Sequence, residues 1–220
     1  MAKLFVLDGL DGSGKSTQLE YIDKALKAKN ASYRQISFPD YSQKSSSLVQ
    51  QYLAGDFGKN VGDVNAYAAS SFYAVDRYAS FKQFWEKDYK EKDLIVAARY
   101  TTSNAIYQTA QLPKDQWDTF LEWLEEYEYE KLGLPKPDMV CFLDMPQEVS
   151  QQLLSKRYHG DESKKDVHER NVEFLGKCRE TALYAAEKFG WEIVPCSRDG
   201  KPLKREIITE TLLKKIEKCL

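Results

Sequence analysis

The feature that most constrains this chain is a short apolar strand running straight into a glycine-rich loop. Lys3–Asp8 reads KLFVLD, and Gly9-Leu10-Asp11-Gly12-Ser13-Gly14-Lys15-Ser16 follows it, filling every fixed position of GxxxxGK[ST]. A helical stretch, Ser16–Lys29, comes next. Strand, loop and helix in that order make a backbone that curls around an anion. Glycines let N–H groups approach phosphate oxygens, the helix N-terminus adds its positive dipole end, and Lys15 adds a point charge. Ser16 stands where a hydroxyl can reach Mg2+. The expected phosphate cradle is therefore Gly9, Asp11, Gly12, Ser13, Gly14, Lys15, Ser16 and Thr17.

The chain has 220 residues, which suits a single α/β domain over 1–220. Its net charge of −2 gives no general surface for nucleic acid or a membrane, so a basic site has to be local. The longest apolar runs are strand-length, too short for a bilayer. Met1-Ala2-Lys3 leads at once into the first strand, so no signal peptide is expected. Cys141, Cys178, Cys196 and Cys219 are widely spaced and form no CxxC or Cys/His cluster. Reduced thiols and a cytoplasmic location are the simplest expectation.

Short β-rich runs alternate with helical patterns. Strands are expected at Lys3–Asp8, Tyr33–Phe38, Asp93–Ala97, Met139–Leu143 and Glu192–Pro195. Helices are expected at Ser16–Lys29, Ser45–Leu53, Val61–Lys87, Thr102–Gln108, Lys114–Lys131, Gln147–Lys156, Val167–Phe189 and Arg205–Cys219. The alternation predicts about five parallel strands with helices on both faces, a three-layer sandwich of the P-loop NTPase type. In such sheets ligands collect at the carboxyl ends of the strands.

Three further stretches carry candidate chemistry. Arg99, just past the third strand, can clamp a phosphoryl group, although an arginine there can equally be a surface ion-pair partner. Asn104, Tyr107 and Gln108 share one side of the short helix after it, where amides can read a base edge. In the long helix, Tyr73 and Arg77 stand at i,i+4 and share a face. Val64, Ala68, Phe72 and Val75 are its expected core-facing stripe, and Tyr73 by itself fits a core position. Ser155–Glu169 breaks the helical pattern and brings Lys156, Arg157, Lys164 and Lys165 around Gly160. Such a run is usually a solvated face, but beside a phosphate loop it is a candidate lid. His159 and His168 in that run fit surface positions.

Taken together, these residues resemble the thymidylate kinase family of P-loop nucleoside-monophosphate kinases, over nearly the whole chain. The family's EGxDGxGKST corresponds to Asp8–Thr17, and its Phe-Pro after the second strand to Phe38-Pro39. Tyr73 with Asp76-Arg77 matches its aromatic residue four before the arginine. Ala98–Gln108 matches DRYxxSxxAYQ, Gly133–Asp138 matches GLPKPD, and Asp166–Glu169 matches the DxxE at the lid's end. The resemblance implies transfer of a phosphoryl group from ATP, with Mg2+, to dTMP. It further implies that Lys15 and the loop amides hold ATP and that Ser16 binds the metal. Asp11 would meet the sugar 3′-hydroxyl, Phe38 would line the pocket and Tyr73 would stack on the base. Arg77 and Asn104 would read the base edge, with Gln108 beside them. Tyr107 would occupy the place of a 2′-hydroxyl, and Arg99 would bridge the two phosphates. Gly12-Ser13 carries no basic residue, so the lid, with Arg157 foremost, is expected to supply the transition-state cation. The resemblance also implies a homodimer through packed helices.

Two departures stand out. Ala98 replaces the family's DRY aspartate, and Asp8 replaces a glutamate. The acceptor is already a phosphate oxygen, so the missing carboxylate is expected to slow transfer rather than abolish it. Three other readings compete: a nucleotide-binding homologue weakened by Ala98, a kinase for another deoxynucleotide or deoxynucleoside, and a GTPase switch. The chain lacks NKxD, and lacks DxxG downstream of the loop, which disfavours the switch.

Overall fold

The structure, a computed structural model, describes residues 1–157 and 172–220. In chain order the main elements are β1 (Lys3–Gly9), α1 (Lys15–Ala28), β2 (Tyr33–Ser37), α2 (Ser47–Ala54), α3 (Ala66–Ser80), α4 (Glu86–Glu91), β3 (Leu94–Ala98) and α5 (Thr101–Tyr107). Then come α6 (Trp117–Glu125), β4 (Met139–Asp144), α7 (Gln147–Arg157), α8 (Val172–Phe189), β5 (Glu192–Pro195), β6 (Ser197–Arg198), β7 (Lys201–Pro202) and α9 (Arg205–Cys219). Strands β1 to β5 form one parallel sheet in the order β2-β3-β1-β4-β5. The central strands are covered on both faces, which is why they read as unbroken apolar runs.

Period-two alternation along β1 divides the core. Phe5 and Leu7 pack with Leu19, Ile22 and Leu26 of α1 and with Ile208, Leu212 and Ile216 of α9. Leu4 and Val6 point the other way, toward Trp85, Tyr100 and Leu134. Each such large side chain contributes roughly 1.5–3 kcal/mol on burial. On that second side α5 and α8 pack through Ile106, Phe174, Leu175 and Cys178 against Phe142. The chain reverses its winding direction at β1, so the crevice at the carboxyl ends of β1, β3 and β4 is where a ligand site belongs.

The structure amends four expectations. The helix expected over Val61–Lys87 starts only at Ala66, where the Asn65 side chain accepts from the Ala68 N–H at 2.9 Å. It passes through a π-helical turn at Phe81–Trp85 before α4. Its buried residues are Ala66, Ala69, Ser70, Ala74, Asp76, Arg77 and Ser80, whereas Val75 is exposed. Small residues let α3 approach closely, and Arg77 is buried because a partner neutralises it. Lys114–Lys131 likewise ends in a π-helical turn, Glu126–Lys131, after α6. The hairpin β6–β7 was not expected, because two-residue strands leave no periodic pattern.

The candidate lid lies largely outside the described residues. This covers Lys164, Lys165, His159, His168, the Asp166–Glu169 motif and the first residues of the helix expected from Val167. Arg157 ends α7 in the backbone trace, and its side chain is outside the description. Among the described residues no helix is long and apolar enough to cross a membrane.

Candidate active site

Strand β1 delivers the loop into the crevice. Gly14 caps α1 at φ 92°, a left-handed conformation that favours glycine, and makes no side-chain cap bond. The first turn of α1 holds no acidic residue, so its N–H groups face the crevice without a competing carboxylate. Lys15 folds over the loop and its Nζ donates to Gly9 O at 2.6 Å and Leu10 O at 2.9 Å. The Ser13 hydroxyl is buried in the loop without a hydrogen-bond partner among the described residues. An uncapped helix end, an ammonium and an orphaned hydroxyl fit phosphate chemistry. Gly12, at φ 78°, lies against α7, where an added Cβ would come within 2.7 Å of Ser150 O. That contact leaves no room for a basic side chain at position 12.

Across the crevice, Arg99 follows β3 with φ 59°, a strained conformation for a residue with a long side chain. Its N–H donates to Leu7 O at 3.0 Å, which ties the turn to β1. Its guanidinium donates to Asp11 Oδ1 and lies 5.3 Å from the Tyr107 ring centre. The Tyr107 hydroxyl donates to Asp11 Oδ2 at 2.9 Å. Burial opposes charge on Arg99, but Tyr107 and the Asp11 carboxylate outweigh it and hold the pKa well above the ordinary guanidinium value. Burial and the Asp11 charge push the Tyr107 phenol well up, so it stays a neutral donor.

A second cluster closes the far end. Arg77 donates through Nε and an NH2 nitrogen to the two oxygens of Glu128, at 2.6 and 2.5 Å, and this pair is only 1% and 0% exposed. Asn104 Nδ2 also donates to Glu128, at 3.2 Å. Burial opposes charge on Arg77, but Glu128 more than offsets it and raises the pKa. Tyr73 packs edge-on to Tyr52, with centres 6.3 Å apart, and Phe38 packs at 5.9 Å against Tyr100.

Residues of both clusters line one cavity of about 1140 Å³, with Glu128 and Tyr52 behind its lining. Asp11, Gly12, Ser13, Gly14, Lys15, Ser16 and Thr17 form one side of it. Phe38, Tyr73, Arg77, Arg99, Asn104, Tyr107 and Gln108 form the other. Gly9 lies behind the loop rather than on the cavity wall, held by Lys15.

The thymidylate kinase family model matches residues 7–207. The chain belongs to the thymidylate kinase family. It is accordingly a nucleoside-monophosphate kinase, a transferase, of a family that uses ATP as phosphate donor, usually with Mg2+. It is 29% identical over 184 residues to the thymidylate kinase of Mycobacterium tuberculosis, covering 83% of this chain and 84% of that one. It is 28% identical over 220 residues, the full length of both chains, to the probable thymidylate kinase 1 of Saccharolobus solfataricus. The solved structure of the Candida albicans thymidylate kinase aligns with a TM-score of 0.73 at 23% identity, covering 99% of this chain and 92% of that one, so the fold is shared.

Within this family fold, Asp8, which replaces the family's glutamate, is tied down on three sides. It is fully buried and accepts from the Gly9 N–H at 2.8 Å, the Thr102 hydroxyl at 2.6 Å and the Ser103 hydroxyl at 2.8 Å. Its carboxylate braces the loop against α5, and Ala98, which packs with Phe5 and Leu7, is among the residues that line the cavity. Sequence reasoning missed Glu128, Tyr52 and the Pro202–Arg205 wall. Glu128 sits in the acid-rich run EEYEYEK, where nothing local separates it from its solvated neighbours.

Proposed function

We propose that this chain transfers the γ-phosphoryl group of ATP to dTMP, giving dTDP by in-line displacement. The observation that carries the reading is one cavity lined both by phosphate-loop groups and by Arg99, Tyr107, Arg77 and Asn104, with Asp11 of the loop bonded to Arg99 and Tyr107. Lys15 and the α1 N-terminus hold the donor phosphates. Ser16 would hold Mg2+, which would neutralise phosphate charge. Arg99 stands between donor and acceptor, and its guanidinium clamps the acceptor phosphate and the migrating group. Asp11 orients Arg99 and meets the sugar 3′-hydroxyl. Tyr107 fills the space of a 2′-hydroxyl and so favours deoxyribose. Tyr73 stacks on the base, Phe38 lines its pocket, and Arg77, Asn104 and Gln108 face its polar edge. The lid segment, with Arg157, supplies the closing cation, because Gly12-Ser13 carries none and the contact with α7 leaves no room for one at position 12. The kinase works in the cytoplasm as a homodimer through its helices, with exposed Val75 and Tyr78 on α3 in keeping with such a contact. No nucleic acid or membrane partner is involved.

A second reading, a nucleotide binder with weakened turnover, draws on Ala98 and on Asp8 being committed elsewhere. The test is ADP release from Mg·ATP with each nucleoside monophosphate and with thymidine, beside direct binding of dTMP. Turnover highest with dTMP supports the kinase. Tight dTMP binding with no ADP release overturns it in favour of the second reading.

A further inference from the structure

We propose that Glu128 is a positioning residue for base recognition: it sets the hydrogen-bond polarity of Arg77 and Asn104, so that the cavity accepts a pyrimidine carrying a C4 carbonyl beside an N3–H. The proposal rests on the dTMP kinase reading and adds to it a residue that does not line the cavity.

The Glu128 carboxylate is fully buried and takes its hydrogen bonds from side chains of three different residues. Arg77 Nε and the Thr101 hydroxyl donate to Oε2, at 2.6 and 2.9 Å. An Arg77 NH2 nitrogen and Asn104 Nδ2 donate to Oε1, at 2.5 and 3.2 Å. The remaining Arg77 nitrogen donates to Tyr100 O at 3.3 Å. A carboxylate only accepts, so every group facing it has to turn a donor inward.

For Asn104 this decides the amide orientation. Nδ2 donates to Glu128 and also to Ser70 O, at 3.2 Å in each case. Both partners are acceptors, so only the NH2 end satisfies them, and both its hydrogens are used. Oδ1 accepts no hydrogen bond from the described residues, and Asn104 lines the cavity. The base end therefore presents an acceptor at Asn104 beside a donor at Arg77. Thymine and uracil carry the complement, N3–H beside C4=O. Cytosine carries the reverse, an unprotonated N3 beside an amino group, and would set like against like at both contacts. A buried polar site rejects such a mismatch strongly because its own groups are left unpaired.

Glu128→Gln is nearly isosteric and removes this control. A glutamine has to turn an NH2 toward one of the donors it now faces, which lets the Asn104 amide flip or Arg77 swing away. The experiment is steady-state kinetics of the wild type and Glu128→Gln with dTMP, dCMP and ATP varied in turn. The expected result is a rise of tenfold or more in KM for dTMP, an ATP KM within twofold, and a tenfold or greater narrowing of the dTMP to dCMP ratio of kcat/KM. A folded variant that keeps both the dTMP KM and the ratio overturns the proposal. So does an equal loss toward dTMP, dCMP and ATP, which marks a residue that only holds the fold. If Glu128→Gln does not fold, Thr101→Val removes one donor from Glu128 and keeps the charge. A threefold rise in dTMP KM with ATP KM unchanged then supports the proposal, and no change overturns it. Calorimetric binding of dTMP and dCMP reads the same selectivity without turnover. A wild type that binds dTMP selectively but releases no ADP overturns the kinase reading, and loss of that binding selectivity in Glu128→Gln then still supports the role of Glu128, while its retention overturns it.

Discussion

The guanidinium of Arg99 donates to the carboxylate of Asp11, joining the turn after β3 to the phosphate loop across 88 positions of sequence. The two side chains are only 22% and 19% exposed, so the pair is shielded from much of the screening that weakens surface ion pairs. Tyr107 holds the other Asp11 oxygen. Both cation and carboxylate are therefore oriented before a phosphate arrives. Arg99→Ala should lower kcat by about a thousandfold or more, the scale of an arginine acting on a migrating phosphoryl group. Arg99→Lys keeps the charge but loses the planar fork, and should recover only part of the rate. Turnover of Arg99→Ala equal to wild type in a stopped assay of ADP release would sink the mechanism.

Ala98→Asp should raise kcat. Asp8 is held by an N–H and two hydroxyls, and Ala98 offers only a methyl group to the cavity. Restoring a carboxylate that organises the reacting phosphates is worth roughly tenfold or more in rate, by analogy with single electrostatic contacts. An unchanged kcat with dTMP would mean that positioning by Arg99 and Asp11 already suffices.

Gly12→Ala and Gly14→Ala should behave differently although both glycines have positive φ. At Gly12 the new methyl meets Ser150 O at 2.7 Å and Leu154 Cγ at 3.0 Å, while at Gly14 nothing lies within 4 Å. Strain alone costs about 1–2 kcal/mol at Gly14, and the clash adds about 1–3 kcal/mol at Gly12. For a chain of this size each kcal/mol shifts Tm by about 2–4 °C. Thermal melts in which the two variants fall equally would show that the loop does not bear on α7.

The thiols predict a simple titration. Burial pushes Cys141 and Cys196 up to about 12 and raises Cys178 as well. Cys219 is also raised by burial, but it is the partly exposed member of the four. A raised pKa means less thiolate at a given pH, so reactivity is suppressed until pH approaches that value. At pH 8 a disulfide reagent should label Cys219 alone in the native protein, faster as pH rises, and all four after denaturation. Two or more fast native thiols would contradict the burial of the other three.

Much of this molecule was legible locally. The five strands lie within a residue or so of the positions expected from their apolar runs, because strands covered on both faces need little more than that pattern. The phosphate loop was legible because its glycines and lysine act through the backbone next to them. Val75 was misplaced because α3 buries small and charged residues instead of its larger apolar ones. Periodicity counts hydrophobicity and does not register a charge neutralised from elsewhere.

The sequence by itself determined the parallel sheet, the anion-binding loop and the residues that could face a nucleotide, since each follows from local pattern and chemistry. Only the tertiary structure decided which of the acids in EEYEYEK leaves water. Glu128 reaches Arg77 across 51 positions, Thr101 across 27 and Asn104 across 24. A buried carboxylate is tolerable only where several donors converge on it, and that convergence comes from the packing of α3, α5 and the turn after α6.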